Sequence, residues 1–386
     1  MSFSRGALKD FIYFNPREVL LKGSLANEVA MADIVPFQKY LPKQKVGRYN
    51  GGMKFRNGDT IVARITPCLE NGKTAYIDIL EENEVGFGST EYIVLRAMPE
   101  KTIPEFVYYV ATSSAFREKA ISLMTGTSGR QRVQTDALMF EEMYFPSIIE
   151  QEKIVKILSS LDNKIRNNNR TNDNLHEMCL TIYRDLVNKT DAEKDLLKNH
   201  AKCALGGTPS RAKPEYWNGN INWINSGEIN RFRILKPSET ITDLGLQKTS
   251  TTLLPIGTTV LAITGATLGQ VSRLEIESCA NQSVIGVIPD DSLTNEFVYL
   301  NILENINDII GRQTGGAQQH INKNDVETYE IIIPEPEKIA KFDKEIRPIF
   351  GRIRNNCLEN ERLTKLRDTL LPELLNGKID VSNIDI

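Results

Sequence analysis

The sequence has no surplus of basic charge: 47 lysines and arginines face 50 aspartates and glutamates, a net charge of −3. A chain-wide positive field for nucleic acid is thereby excluded, although a local patch is not. The five cysteines (Cys68, Cys179, Cys203, Cys279, Cys357) are odd in number, scattered and never spaced as CxxC. That pattern argues against a zinc site and against a disulfide framework, and it fits a reducing compartment. No apolar run approaches the roughly 20 residues of a membrane span. The opening stretch, "MSFSRGALKDFIYFNPREVL", lacks a basic segment, an apolar core and a small-residue cleavage site. Neither secretion nor a membrane partner is expected, and the expected location is cytoplasmic.

Catalytic motifs are missing as well. "LENGKTA" contains a GKT, but Pro67 stands five positions before Gly72, where a phosphate loop needs glycine. "GATLGQ" is too short for a dinucleotide loop, and neither GxSxG nor HExxH occurs. The three histidines (His176, His200, His320) are far apart in sequence, and His176 lies off the helical seam described below, as a solvated residue would. Asp33 and Glu228 occupy comparable places, but nothing in the sequence joins them. The expectation is a chain that is not an enzyme and holds no metal and no cofactor.

What the sequence does have is a period. With an offset of 188, residues 129–177 align without a gap on 317–365. Gln131 meets Gln319, Val133 meets Ile321 and Pro146 meets Pro334. "KIRNNNRTN" (164–172) meets "RIRNNCLEN" (352–360). Upstream, "NGDTIVARIT" echoes "IGTTVLAIT" and "PEFVYYV" echoes "NEFVYLN". Each copy reads as a β-rich module followed by a long helix.

The helical stretches carry a heptad. Ile154, Leu158, Leu161, Ile165, Asn168, Asn172, Leu175, Cys179, Ile182 and Leu186 follow steps of four and three, and so do the residues from Phe342 to Leu374. This is coiled-coil spacing. Both seams are interrupted at one place, by Asn168 and Asn172 and by Asn356 and Asn360. An amide facing leucine would be desolvated without a partner, so seam asparagines penalise wrong registers. Antiparallel pairing about the helix midpoints brings both amide pairs together, and the repeated phrase then reads as a register lock. The competing reading is a solvated loop between shorter helices, since "NNNRTNDN" is a poor helix former.

The predicted fold is α+β, with two β-rich globular modules, each with a helix, separated by an antiparallel coiled coil and related by an internal pseudo-two-fold repeat. The boundaries are 1–147, first module; 148–190, first long helix; 191–335, second module; 336–376, second long helix; and 377–386, a tail. Held at fixed separation, two non-identical modules suit a reader of two half-sites on duplex DNA.

Candidate DNA contacts fall in matching loops. "TGTSGRQRV" offers Thr127, Ser128, Arg130, Gln131 and Arg132, and "TGGAQQHI" offers Gln318 and Gln319. Small residues let backbone approach phosphate, while arginine and glutamine can pair bidentately with guanine and adenine edges. Arg64, Asn71 and Lys73 match Thr264 and Thr267 after a strand, and Ser89 and Thr90 match Asn281 and Gln282. Eight basic residues between Lys39 and Lys73, against two acids, could form a phosphate-binding patch or simply a solvated face. Trp217 and Trp223 suit a β-rich core better than a base stack.

These features resemble the specificity subunit of type I restriction–modification systems over essentially the whole length. The resemblance rests on the two modules, on "FPSIIEQEKIVKILSSLDNKI" with Glu150-Gln151 after a proline, on its counterpart "IPEPEKIAKFDKEI", on "TGTSGRQRV", and on the closing "LLPELLNGKIDV". The second copy departs with Glu337-Lys338 where Glu-Gln is usual. The resemblance implies two target-recognition domains that bind a bipartite, asymmetric sequence in double-stranded DNA. It implies a scaffold for two methyltransferase subunits and then restriction–translocase subunits, which would bind S-adenosylmethionine and ATP themselves. The alternative is a non-enzymatic coiled-coil spacer whose two modules bind protein.

Overall fold

Short runs rich in valine, isoleucine and threonine build the central sheet of each half of the chain, as buried strands require. The computed structural model describes residues 3–41, 45–191, 194–311, 320–382 and 384. It divides into two compact units, Met1–Asn167 with Glu361–Ile386, and Asn168–Asn360.

In the first unit, strands β1 (Ile12–Phe14), β2 (Thr60–Ala63), β3 (Thr74–Tyr76) and β4 (Tyr92–Ala97) form an antiparallel sheet ordered β1-β4-β2-β3. All four β2 side chains are buried. A second sheet of Leu25–Val29, Val46–Arg48, Met53–Phe55 and Gly86–Gly88 lies in the same unit. Helix α1 (Pro104–Thr112) opens on a proline, which costs no hydrogen bond at that position, and buries Phe106 through Ala111.

The long helix α2 spans Ile148–Asn188. It begins with a capping box: Ser147 N–H donates to Glu150 Oε2 at 3.0 Å, and Glu150 N–H donates to Ser147 Oγ at 3.4 Å. Gln151 is fully buried; it donates to the Lys101 and Pro146 carbonyls and accepts from Ile103 N–H, the residue before α1. The Glu-Gln pair after the proline is therefore a joint, with one residue starting α2 and the next tying α1 to it.

The second unit repeats the strand order. Strands β5 (Ala201–Leu205), β6 (Thr259–Ala262), β7 (Val271–Arg273) and β8 (Val284–Pro289) are ordered β5-β8-β6-β7. Helix α3 (Asn295–Gly311) packs on this sheet, and α4 spans Pro336–Leu375. Trp217 and Trp223 are both buried, with ring centroids 5.1 Å apart edge-on. Their indole N–H groups donate to the Ser210 and Gly207 carbonyls.

Within each unit α2 and α4 run antiparallel. In the first, Ile154 and Leu158 share a core with Leu371 and Leu374, and Asp162 accepts from Arg367 at 2.7 Å. In the second, Cys179 shares a core with Phe342, Ile346 and Phe350. The tail after α4 joins the first unit, where Val381 is buried and Ser382 accepts from Lys153. Among the described residues no helix is long and apolar enough to cross a membrane.

Two expectations need correction. His176 is not a solvated helix residue: its ring lies 5.2 Å from Phe232 and 6.0 Å from Tyr299, and burial lowers its pKa to about 4. The seam accounts for one face of α2 only; the sheet-bearing part of the unit covers a neighbouring face. The run of basic residues from Lys39 is not one patch. Lys39 is buried, donates to Glu105 and is surrounded by the rings of Tyr40, Tyr76, Tyr108 and Tyr109. Lys54 donates to the Glu18 carbonyl and Arg56 pairs with Glu18, so much of this charge balances the module's own acids and carbonyls. Lys43 lies outside the described residues.

Candidate nucleic-acid interface

Backbone hydrogen bonds bring three separate stretches of the first unit to the end of β2. Arg64 N–H donates to the Glu91 carbonyl at 2.9 Å, Val133 N–H donates to the Arg64 carbonyl at 2.9 Å, and Thr66 N–H donates to the Gln131 carbonyl at 3.0 Å. The candidates around residues 64–73, 89–90 and 127–132 thus converge. Arg132 donates to Glu91 Oε1 from Nε at 2.9 Å and from Nη2 at 2.7 Å, while Arg64 Nε lies 3.6 Å away from the same carboxylate. These bonds hold the Glu91 carboxyl below its usual pKa range, with Arg132 the main cause. Ser89 Oγ accepts from Glu91 N–H at 3.1 Å.

The candidates differ in how free they are. Lys73 donates to the Met31 carbonyl at 2.6 Å, which holds the turn rather than offering its charge outward. Thr127, Ser128 and Arg130 are exposed on the loop between Met124–Thr125 and Arg132–Val133. Gly126 and Gly129 adopt φ of 126° and 76° there, a backbone that L side chains resist, so glycine makes this turn possible. Asn71 and Thr90 are exposed as well, and Gln131 is partly buried.

The second unit repeats the convergence with other side chains. Ile263 N–H donates to the Ser283 carbonyl, and Ile321 N–H donates to the Ile263 carbonyl, both at 3.0 Å. Asn281 Oδ1 accepts from Ser283 N–H at 3.1 Å, and Gln282 accepts from Thr208 Oγ1. Thr267 Oγ1 donates to the Thr264 carbonyl at 3.4 Å. Gly206 lets two backbones meet here, since a Cβ on it would lie 2.1 Å from the Asn281 oxygen. Gln318 and Gln319 lie outside the described residues. Where the first unit presents arginines around one glutamate, the second presents amides and hydroxyls.

The amides of the helical phrase also meet. Asn356 Nδ2 donates to Asn172 Oδ1 at 2.8 Å, and Asn168 Nδ2 donates to Asn360 Oδ1 at 2.9 Å. Asn360 Nδ2 donates to Asn169 Oδ1 at 2.7 Å, and Asn168 Nδ2 also donates to Glu359 at 2.8 Å. Asn168, Asn172 and Asn356 are each less than 5% exposed, so their pairing satisfies groups that would otherwise be desolvated alone.

Sequence reading missed Glu91, Asn169 and Glu359, whose partners are distant in the chain. Asp33 and Glu228 each close a local turn: Asp33 Oδ2 accepts from Ala30 N–H, and Glu228 caps a short helix with Asn225. Among the described residues no group of three or more His, Cys, Asp or Glu is placed to hold a metal ion.

Comparison with known proteins agrees in both sequence and fold. The specificity subunit of the type I restriction enzyme HindI of Haemophilus influenzae is 23% identical over 459 aligned positions, covering 98% of this chain and 96% of its own. The MjaIX specificity subunit of Methanocaldococcus jannaschii is 24% identical over 73% of this chain and 70% of its own. The solved S subunit of a type I restriction–modification system from M. genitalium has the same fold, with a TM-score of 0.55 at 16% identity over 97% of this chain and 96% of its own. The model of the type I restriction modification DNA specificity domain matches twice, at residues 41–177 and 197–368. Matched by that model over most of its length, the chain belongs to the family of type I restriction–modification specificity subunits.

Proposed function

We propose that this specificity subunit reads a bipartite, asymmetric site in double-stranded DNA, one half with the module of residues 1–147 and the other with that of 191–335. The observation carrying the proposal is that the same three-way convergence recurs at the end of equivalent strands, β2 and β6, bearing different chemistry. Equivalent placement suits two readers of one duplex, and different side chains suit two different half-sites.

Arg130, exposed on a glycine-shaped loop, is the leading base contact of the first module. Arg132 and Arg64, held by Glu91, shape the surface beside it. Thr127, Ser128, Asn71 and Thr90 supply further polar contacts, and Thr264, Thr267, Asn281 and Gln282 do so in the second module.

The stretches 148–190 and 336–376 act as an antiparallel coiled-coil spacer that relates two pseudo-symmetric copies, with Asn168, Asn172, Asn356 and Asn360 as its register lock. The amide hydrogen bonds support this role. Helices of 41 and 40 residues are each about 60 Å long at 1.5 Å per residue. The subunit is not itself catalytic. In the cytoplasm it is a scaffold for two methyltransferase subunits and for restriction–translocase subunits, and those partners bind the methyl donor and ATP.

Co-expression with a methyltransferase partner, followed by single-molecule mapping of methylated adenines, tests this. The expected motif is two short half-sites with an unspecified gap. A contiguous motif, or methylation that ignores sequence, would overturn the reading.

A further inference from the structure

The repeated phrase contains, at the same place in both copies, an arginine that neither the seam nor the amide lock uses. Arg166 and Arg354 are related by the offset of 188 and lie off the heptad seam. Each forms an ion pair with an acid just beyond a strand of the sheet in its own unit. Arg166 Nη1 lies 2.6 Å from Asp78 Oδ2, and Arg354 Nε lies 3.2 Å from Glu275 Oε2.

The two acids are equivalent by hydrogen-bond register, independently of any sequence alignment. β2 pairs with β3 through Thr60 and Tyr76, and β6 pairs with β7 through Thr259 and Arg273. One residue further, Ile77 N–H donates to the Asp59 carbonyl at 2.9 Å, and Leu274 N–H donates to the Thr258 carbonyl at 3.0 Å. Asp78 and Glu275 each follow next. Each acid therefore stands at the base of a hairpin, β2–β3 or β6–β7. At the other end the connecting turn carries Arg64, Asn71 and Lys73, or Thr264 and Thr267.

We propose that Arg166 and Arg354 are positioning residues: each anchors the base of its hairpin to the long helix of its own unit and so sets the angle at which the reading turn is presented. A guanidinium suits this role because it is planar, always charged and directional. Arg166 also lies 4.1 Å from the centroid of the Tyr40 ring, whose hydroxyl donates to Asn163 of the same helix at 2.7 Å. Glu275 is buried and is shared with Arg273 at 2.7 Å. Arg166 is thus steadied by Tyr40, which is bonded to the same helix, while Arg354 meets a carboxylate already fixed by a second arginine.

The proposal rests on the bipartite reading and adds a consequence to it. A hairpin free to tilt should relax the permitted gap between half-sites without altering either half-site. Full-length Arg166→Ala and Arg354→Ala, each co-expressed with the methyltransferase partner, should keep both half-sites. Preference for the native gap over gaps one base pair longer or shorter should fall at least about fivefold. The exchanged pair Asp78→Arg with Arg166→Asp should restore it. A gapped motif in the unaltered chain with undiminished gap preference in both alanine variants would overturn the anchor and leave the bipartite reading standing. So would a changed half-site, or no restoration by a folded exchanged pair. An unaltered chain with a contiguous motif would instead defeat the bipartite reading itself. Thermal unfolding of each variant separates loss of fold from loss of gap preference: an alanine variant that unfolds earlier but keeps its gap preference contradicts the proposal.

Discussion

In the first unit a single lysine, Lys39, sits among four tyrosines and donates to Glu105, the second residue of α1. In the second, two arginines occupy the corresponding ground. Arg273 pairs with Glu296, the second residue of α3, and with Glu275, while Arg233 packs on Phe232, Tyr299 and Phe350. The first unit adds a buried triple of Tyr109, Asp162 and Arg367. By the same offset of 188, the positions of Asp162 and Arg367 fall in the second unit on Phe350 and Cys179, which lie in its hydrophobic core. One fold thus closes the same joint in two ways, by one cation among hydroxyls and rings or by guanidinium against carboxylate. The second way buries more charge, so it depends more heavily on each partner remaining present.

The sharpest way to break this comparison is to remove the equivalent acid of each unit, the one at the base of the β2–β3 or β6–β7 hairpin. Glu275→Ala leaves Arg233 and Arg273 buried without their shared carboxylate and should destabilise by about 3–5 kcal/mol. Asp78→Ala, at a side chain 24% exposed, should cost about 1 kcal/mol or less. Urea unfolding measures both. Both tryptophans lie in the second unit, so their fluorescence reports the Glu275 variant directly. Equal losses in the two variants would remove the distinction.

On the proposed reading of the first module, Arg130→Ala should lower discrimination at a single base by about 1–3 kcal/mol. The change should stay within one half of the methylated motif, as methylation mapping will record, with stability altered by less than about 0.5 kcal/mol.

The units should also differ in acid. All three histidines belong to the second unit. His176 has its pKa lowered by burial from 6.5 to about 4. The unfolded chain therefore takes up that proton first. Its contribution is fully present above about pH 6.5, declines as pH falls towards 4, and is lost below it. His176→Phe, which keeps the ring packing, should flatten the tryptophan-detected loss by about 2–3 kcal/mol between those limits. An unchanged pH profile would show that the imidazole does not titrate in this range.

The smallest effect belongs to the amides. Replacing Asn172 and Asn356 together by leucine should raise stability by about 1 kcal/mol while widening the distribution of spin-label distances across α2 and α4. A stabilised pair with an unchanged distribution would show that the amides do not select the register.

How much of this was legible in the sequence follows from where each partner lies. The seam and its interruption were readable because a helix repeats every few residues, so Asn168, Asn172, Asn356 and Asn360 stood out of a local pattern. The loops around Arg130 and Asn281 were readable from their turn chemistry and their matched positions. Lys39 was not, since its glutamate lies 66 positions away and a lone lysine in a basic run looks solvated. His176 looks solvated in the sequence because its aromatic neighbours, Phe232 and Tyr299, lie far along the chain. Arg166 and Arg354 stand in the repeated phrase itself. Their identity at an off-seam position was the available signal, but their carboxylates are 88 and 79 positions away, which no periodicity encodes. The difference between Arg132 and Arg130 was hidden for the same reason, since Glu91 lies 41 positions from Arg132.

The central claim, that each module reads its own half of a divided site, is tested most directly by exchanging residues 1–147 for those of a relative with a different motif and mapping methylation with the same methyltransferase partner. The account predicts a new sequence in one half, with the other half and the gap unchanged. A change in both halves, or in neither, would contradict it.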